Sequence, residues 1–261
     1  MGMQEGYVNH SIEAGIGTVT FHHPRSNSLP GNILAGLAAA ISELGSDPQV
    51  RVIILQSDGP KAFCAGASFD ELLAIDNERN GKEFFSGFAR VINAIRTADC
   101  FVIGRIHSHA VGGGVGLACA VDIAYATEKA SIRLSELAIG IGPFVVGPAV
   151  ERKVGTGVFT LLTATPGDRR SAEWSREKGI YSEVFQTEKE LDERISKHAG
   201  ELAGYSPEAM RELKRVVWEG TEHWDALLEE RAAMSGKLVL SEFTSAAINR
   251  FRDAIAAKSK N

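Results

Sequence analysis

The chain has little cysteine, no long apolar run and no block of like charge, and each shortage removes a class of protein. Three cysteines in 261 residues, Cys64, Cys100 and Cys119, are too few and too scattered for a disulfide framework or a zinc site. They fit buried positions in a reducing compartment. No apolar stretch approaches the ~18 residues of a membrane span. Lysine and arginine form no run and the formal net charge is -5. Neither a nucleic-acid footprint nor a basic membrane-binding patch is present, so no nucleic-acid or membrane partner is expected. The opening MGMQEGYVNHSIEAG lacks the basic start and apolar core of a secretory signal, and Gly6 stands where a myristoylation motif wants Ser or Thr. The expected location is the cytoplasm.

Two phosphate-binding patterns are missing as well. From Gly112 and Gly114, the third glycine of G-x-G-x-x-G would fall at Leu117, and no segment reads G-x-x-x-x-G-K-[ST].

What remains is an ordinary globular composition, 44% apolar and 23% charged, sized for one large domain or a domain with an appendage. Tyr7–Glu13 and Gly17–His22 read as strands around Ala14-Gly15. Asn32–Leu44 and Glu83–Ile95 carry apolar residues at helical spacing. Val50–Leu55, Phe101–Ile106 and Asp122–Thr127 read as buried strands, and Lys61–Cys64 continues extended into Ala65-Gly66-Ala67. Strand and helix alternate, which predicts a largely parallel, helix-covered α/β body. After Ser182–Phe185 the chain turns helical. Thr187 to Glu190 has the form of a capping box, and Ser206-Pro207 opens a further helix. Helices over Glu222–Ser235 and Phe243–Ala257 complete a tail whose apolar residues, Trp218, Trp224, Leu238, Val239, Leu240 and Phe251, require packing on the body or a neighbouring subunit. The division falls near Tyr205, with a core over 1-204 and a helical region over 205-261.

Several places carry candidate chemistry. Gly112-Gly113-Gly114 follows a strand and leads into the small-residue run Leu117 to Ala120. Glycine lets a backbone approach a ligand, and the amides of a first helical turn lack intrahelical partners and sit at the positive end of the helix dipole. Such a place can stabilise developing negative charge, or it can be a tight turn with close packing. Gly66-Ala67-Ser68-Phe69-Asp70 nearly matches the G-x-S-x-G elbow, which leaves a Ser68 hydrolase open. His107 and His109 have a spacing that could ligate a metal, though no carboxylate or thiol completes the set; surface or hydrogen-bonded loop histidines are the favoured reading. Glu136 sits among Leu134, Leu137 and Ile139, surroundings that raise a carboxyl pKa and suit acid/base work; a helix-end or surface carboxylate is the plainer alternative.

Taken together, Ala62–Ser68 (AFCAGAS), Gly112–Ile123 (GGGVGLACAVDI) and Leu134–Gly140 (LSELAIG) resemble, in order and separation, three signatures of the crotonase, or enoyl-CoA hydratase/isomerase, superfamily. The resemblance runs over most of the chain. It implies an α/β spiral of ββα turns with a C-terminal helical region. It also implies an acyl-CoA thioester as substrate, with coenzyme A as part of the substrate and no separate cofactor or metal. The Ala67 and Gly113 amides would form an oxyanion hole, and Glu136 would transfer protons at the acyl carbons. Ala65, Ser68 and Phe69 would flank a bent CoA, Arg25 would meet a phosphate, and Gly112 and Gly116 would line the acyl site. A homotrimer or hexamer, closed by the C-terminal helices, is the implied assembly.

The departures bear on the reaction. Gly116 stands where two-glutamate hydratases carry their first Glu. Ser68 replaces the aspartate after A-G-A, Gly142 to Pro148 replaces a glycine-rich stretch, and His107-Ser108 replaces an Asn-Gly pair. The pattern is similar to hydratases of branched glutaconyl-CoA esters, for which water would need another anchor, His109 or the substrate's own carboxylate. A Δ3-Δ2-enoyl-CoA isomerase working with one glutamate is the alternative, and a non-catalytic acyl-CoA-binding trimer is a third.

Overall fold

The computed structural model describes residues 6–258, with side chains through residue 250; Met1-Gly2 and the Phe251 side chain lie outside them. Strands β1 (Tyr7–Glu13) and β2 (Ile16–His22) form an antiparallel hairpin. Its two-residue turn places Ala14 and Gly15 at φ 49° and 80°, the doubly positive geometry that suits the twist of a hairpin. A short β3 (Ser28–Leu29) and helix α1 (Gly31–Ser46) follow.

From there the chain repeats a pattern: one strand in a large sheet, a short strand in a small sheet, then a helix. The first turn is β4 (Val52–Ser57), β5 (Ala62–Cys64), β6 (Gly66–Ala67), α2 (Phe69–Ala74) and α3 (Glu78–Thr97). The second is β7 (Phe101–Ile106), β8 (His109–Val111) and α4 (Gly113–Ala120). The third is β9 (Ile123–Thr127), β10 (Ile132–Arg133), a 3-10 turn over Glu136–Ile139, α5 (Gly147–Ala164) and α6 (Ala172–Glu177). The strand β11 (Glu183–Phe185) and α7 (Glu188–Ala203) close it. The large sheet runs β1-β2-β4-β7-β9-β11, parallel beyond the hairpin, and the small sheet runs β10-β8-β5, also parallel. This is the expected spiral of ββα turns.

Strands covered on both faces read as continuous apolar runs, and here neighbouring residues serve different layers. Val52 and Ile103 pack with Leu191, Ile195 and Ala199 of α7, while Ile53 and Val102 pack in the main core with residues of α1 and α3. The capping box on Thr187 and Glu190 forms as read from the sequence, and Ser206 caps a helix with Pro207 at its first position.

The tail, α8 (Pro207–Val217), α9 (Trp224–Leu238) and α10 (Glu242–Lys258), packs on the body of its own chain. Lys214, 2% exposed, donates from Nζ to Asp122 Oδ2 at 2.6 Å and to the Ile95 carbonyl at 2.9 Å. Trp218 Nε1 donates to Asp122 Oδ1 at 2.7 Å. Helix α9 meets α3 closely: a Cβ added to Gly81 would lie 2.7 Å from the Gly236 Cα.

The structure differs from the sequence reading in several places. Helix α3 begins five residues before Glu83, because the Asn77 side chain accepts the Asn80 N–H and caps it. The extended run after Lys61 breaks at Ala65, and its second part pairs with β3 instead of continuing in the small sheet. Helices α2, α5 and α6 were not expected. In α5 the helix runs on either side of Gly155, whose φ of 76° lies outside helical geometry. Among the described residues, no helix is long and apolar enough to cross a membrane.

Candidate active site

The small sheet explains why three distant segments meet. Its strands are parallel, so the residues after β5, β8 and β10 leave from one edge, and sites in such sheets form at the carboxyl ends of strands. Ala65–Ala67 follows β5, Gly112-Gly113 follows β8 and Leu134–Glu136 follows β10.

The glycine run is shaped by what surrounds it. The Gly112 N–H donates to the Arg133 carbonyl at 2.8 Å, which ties it to the strand leading to Glu136. Gly112 has φ 54°, and a Cβ there would lie 3.3 Å from Glu136 Oε1; glycine supplies both the turn and the space. Gly113 opens α4, so its amide is one of the unpartnered donors of a first helical turn. A Cβ on Gly113 would overlap the Phe88 ring, and one on Gly114 would lie 2.5 Å from the Cys64 carbonyl oxygen. All eight residues of α4 are buried, so Leu117 to Ala120 is the buried helix that its small residues predict.

The second strand end comes close to the first. Gly66 has φ 88°, and a Cβ on it would fall 2.9 Å from the Val111 carbonyl oxygen and 3.5 Å from the Gly113 nitrogen. The Ala67 and Gly113 segments are therefore neighbours.

Glu136 begins the 3-10 turn. The residue is partly exposed, yet its Oε2 is shut off from solvent and has no hydrogen-bond partner. Burial pushes its carboxyl from 4.5 up to about 7; the Glu136 and Ser135 backbone amides and the Arg133 charge pull the other way and lose.

These groups face one cavity of about 70 Å³, large enough for water. Of the expected site residues, Ala65, Ala67, Phe69, Gly112, Gly113 and Glu136 line it; Arg25, Ser68 and Gly116 do not. Most of the remaining wall is hydrocarbon, including Leu72, Phe85, Phe88, Phe144 and Val146, and among the described residues lining it Glu136 is the one ionisable side chain.

Gly116 lies behind that wall. A Cβ on Gly116 would overlap Val146 Cγ1 and sit 2.5 Å from Val146 Cβ. Any side chain at position 116 would therefore meet Val146. Arg25 is paired with Asp70, both more than half exposed. Ser68 caps α2, its hydroxyl accepting the Glu71 N–H at 3.5 Å, which gives that oxygen a structural task instead of a nucleophile's. His107 is buried with both ring nitrogens unpartnered, whereas His109 is exposed and bonded to Ser131 Oγ at 2.8 Å. The two do not form a ligand pair, and neither lines the cavity, so His109 is not placed to anchor water there. No group of three or more His, Cys, Asp or Glu among the described residues could hold a metal ion. The three cysteines are free and buried.

Several lining residues are not among the expected site residues, Phe88, Val146 and Ser235 among them. Phe88 had been read only as part of an apolar helix face, Val146 only as part of a replaced loop, and Ser235 gave no signal within its helix.

Comparison with known proteins agrees with this geometry. The family model described as enoyl-CoA hydratase/isomerase matches residues 11–253. The chain is 27% identical over 243 residues to a probable enoyl-CoA hydratase of Bacillus subtilis, covering 92% of this chain and 93% of that protein. It is 33% identical over 224 residues to the mitochondrial methylglutaconyl-CoA hydratase of Rattus norvegicus, covering 82% of this chain and 70% of the relative. In fold it is similar to the crystal structure of an enoyl-CoA hydratase from Bacillus halodurans, with a TM-score of 0.86 at 20% identity, covering 94% of this chain and 99% of that one.

Proposed function

The chain belongs to the enoyl-CoA hydratase/isomerase family, and from that premise we propose that it adds water to a branched 2-enoyl-CoA thioester of the methylglutaconyl kind, with Glu136 as its sole proton carrier. The observation that carries this reading is the cavity itself: one buried carboxyl shares it with Ala67 and Gly113, and no other lining side chain ionises among the described residues.

Water adds through its oxygen to the β-carbon and gives one proton to the Glu136 carboxylate. The double-bond electrons move onto the thioester oxygen, where the Ala67 and Gly113 amides stabilise the enolate-like charge. That electron pair then returns to the α-carbon, which takes the proton back from Glu136, leaving the carboxylate as it began. Donors of this kind are aimed at charge that develops in the transition state, and each is typically worth ~2.7–4 kcal/mol of barrier. A carboxyl poised near 7 can both accept and return the proton at neutral pH.

In the same reading coenzyme A enters as part of the substrate. It lies along Ala65, Ser68 and Phe69, with Arg25 exchanging Asp70 for a phosphate and Gly112 leaving room beside Glu136. Gly116 shapes the acyl wall from behind Val146. A homotrimer or hexamer in the cytoplasm completes the proposal.

Double-bond isomerisation is the second reading, favoured by one observation: Val146 covers Gly116, so hydrocarbon stands where a second carboxylate would hold water. Two substrate panels separate the readings. Hydration predicts loss of the conjugated-thioester absorbance with branched 2-enoyl-CoA esters. Migration of the double bond in 3-enoyl-CoA esters, with the 2-enoyl panel left untouched, would favour isomerisation instead. Tight thioester binding with no turnover in either panel would point to a binding protein.

A further inference from the structure

We propose that the Ser235 hydroxyl holds the attacking water, in the role that a second carboxylate plays elsewhere; this rests on the hydration reading above. Ser235 comes from α9, in the C-terminal region, and is 1% exposed. It lines the cavity that Glu136 lines. Its approach depends on glycine: Gly236, the next residue, meets Gly81 of α3 so closely that a Cβ on Gly81 would lie 2.7 Å from the Gly236 Cα. Without that crossing the helix would stand further out.

The hydroxyl has capacity to spare. Its hydrogen bond to the Arg231 carbonyl one turn back is long, at 3.3 Å, the back-bond a helical serine makes by default. The oxygen's lone pairs remain available to accept. Leu72, Phe85 and Phe88 line the same cavity, so the hydroxyl is a polar point in a lining that is mostly hydrocarbon. Glu136 reaches the same cavity from a separate element, the 3-10 turn after β10. A buried water needs two to four polar partners. One donating to Glu136 and to Ser235 Oγ keeps an oxygen lone pair for the β-carbon. Ser135 is the other hydroxyl on the lining, but it precedes Glu136 in the chain, and its own amide already bears on that carboxyl. It offers no second wall.

The test uses the full-length chain as wild type, Ser235→Ala and Ser235→Cys. Hydration of branched 2-enoyl-CoA esters is read beside deuterium exchange at C2 of a saturated acyl-CoA in heavy water, which needs Glu136 and the amides but no anchored nucleophile. Both Ser235 variants are expected to lose about tenfold or more in hydration kcat while C2 exchange stays within about twofold. Wild-type hydration by Ser235→Ala overturns the assignment, and so does parallel loss of hydration and exchange, which would mark a packing defect. A wild type that exchanges C2 and migrates 3-enoyl bonds but hydrates nothing overturns the hydration reading, and the Ser235 assignment falls with it.

Discussion

Glu136 is the residue whose behaviour follows most directly from its surroundings. Burial raises its carboxyl to about 7, and in the proposed hydration the carboxylate is the form that takes water's proton. The account therefore predicts that kcat/KM rises with pH through about 7, measured on a hydrated substrate under first-order conditions. The same raised value has a cost in stability. The folded state holds this proton more tightly than the unfolded chain, so the associated stability is full below about 4.5 and is lost as pH climbs through about 7. Glu136→Gln removes the ionisation. It should melt higher than wild type at pH 8, by up to ~3 kcal/mol of stability, with little difference near pH 4. A thermal scan of both proteins at the two pH values checks this.

The glycines make a complementary prediction. Gly116→Ala must push against Val146 and should destabilise the fold by about 1–3 kcal/mol in urea denaturation. Gly113→Ala displaces an amide donor against the Phe88 ring and should lower kcat by about 10²–10³. That Ala67, Gly113 and Glu136 belong together was legible through the family resemblance, and the structure puts all three on one cavity; Glu136 also stands out by itself as an acid among apolar neighbours. The contact of Val146 with Gly116 was not legible: thirty residues separate them, and only the fold says which valine reaches which glycine.

Elements were read well where a local rule decides them. The box on Thr187 and Glu190, the Ser206-Pro207 start and the buried α4 each follow from a few adjacent residues. Helix α5 was missed although Val150, Val154, Val158 and Leu162 keep helical spacing; Gly155 and Gly157 stand in its middle, and glycine there lowers the helical signal. Helix α2 was missed because six residues are too short to show one. The seating of the C-terminal helices lies beyond local rules altogether. Lys214 and Asp122 are each about 3% exposed as side chains and are 92 residues apart. Removing one partner of a buried ion pair strands the other charge, so Lys214→Met should cost about 3–5 kcal/mol. The Lys214→Met/Asp122→Asn double variant should recover part of that loss. Equal stability of the single variant and wild type in urea denaturation would deny the pair its role in anchoring α8.

At the scale of the whole molecule, the site exists because a parallel spiral delivers successive strand ends to one edge. Alternating strands and helices predicted a parallel body; the split into a large and a small sheet was not visible, since β5, β8 and β10 are only two or three residues each. The outer face of α8 leaves Leu213, Val216 and Val217 exposed. The assembly reading expects such faces to be covered by other copies, and sedimentation at micromolar protein should show three or six chains; a monomer would contradict it.

The claim on which the account turns is that one carboxyl carries the proton while two backbone amides hold the thioester oxygen. The most direct measurement is C2 hydrogen exchange by Glu136→Gln, read beside binding of the same acyl-CoA. The predicted result is binding within a few-fold of wild type and exchange lower by about 10³ or more. Exchange at the wild-type rate would contradict it.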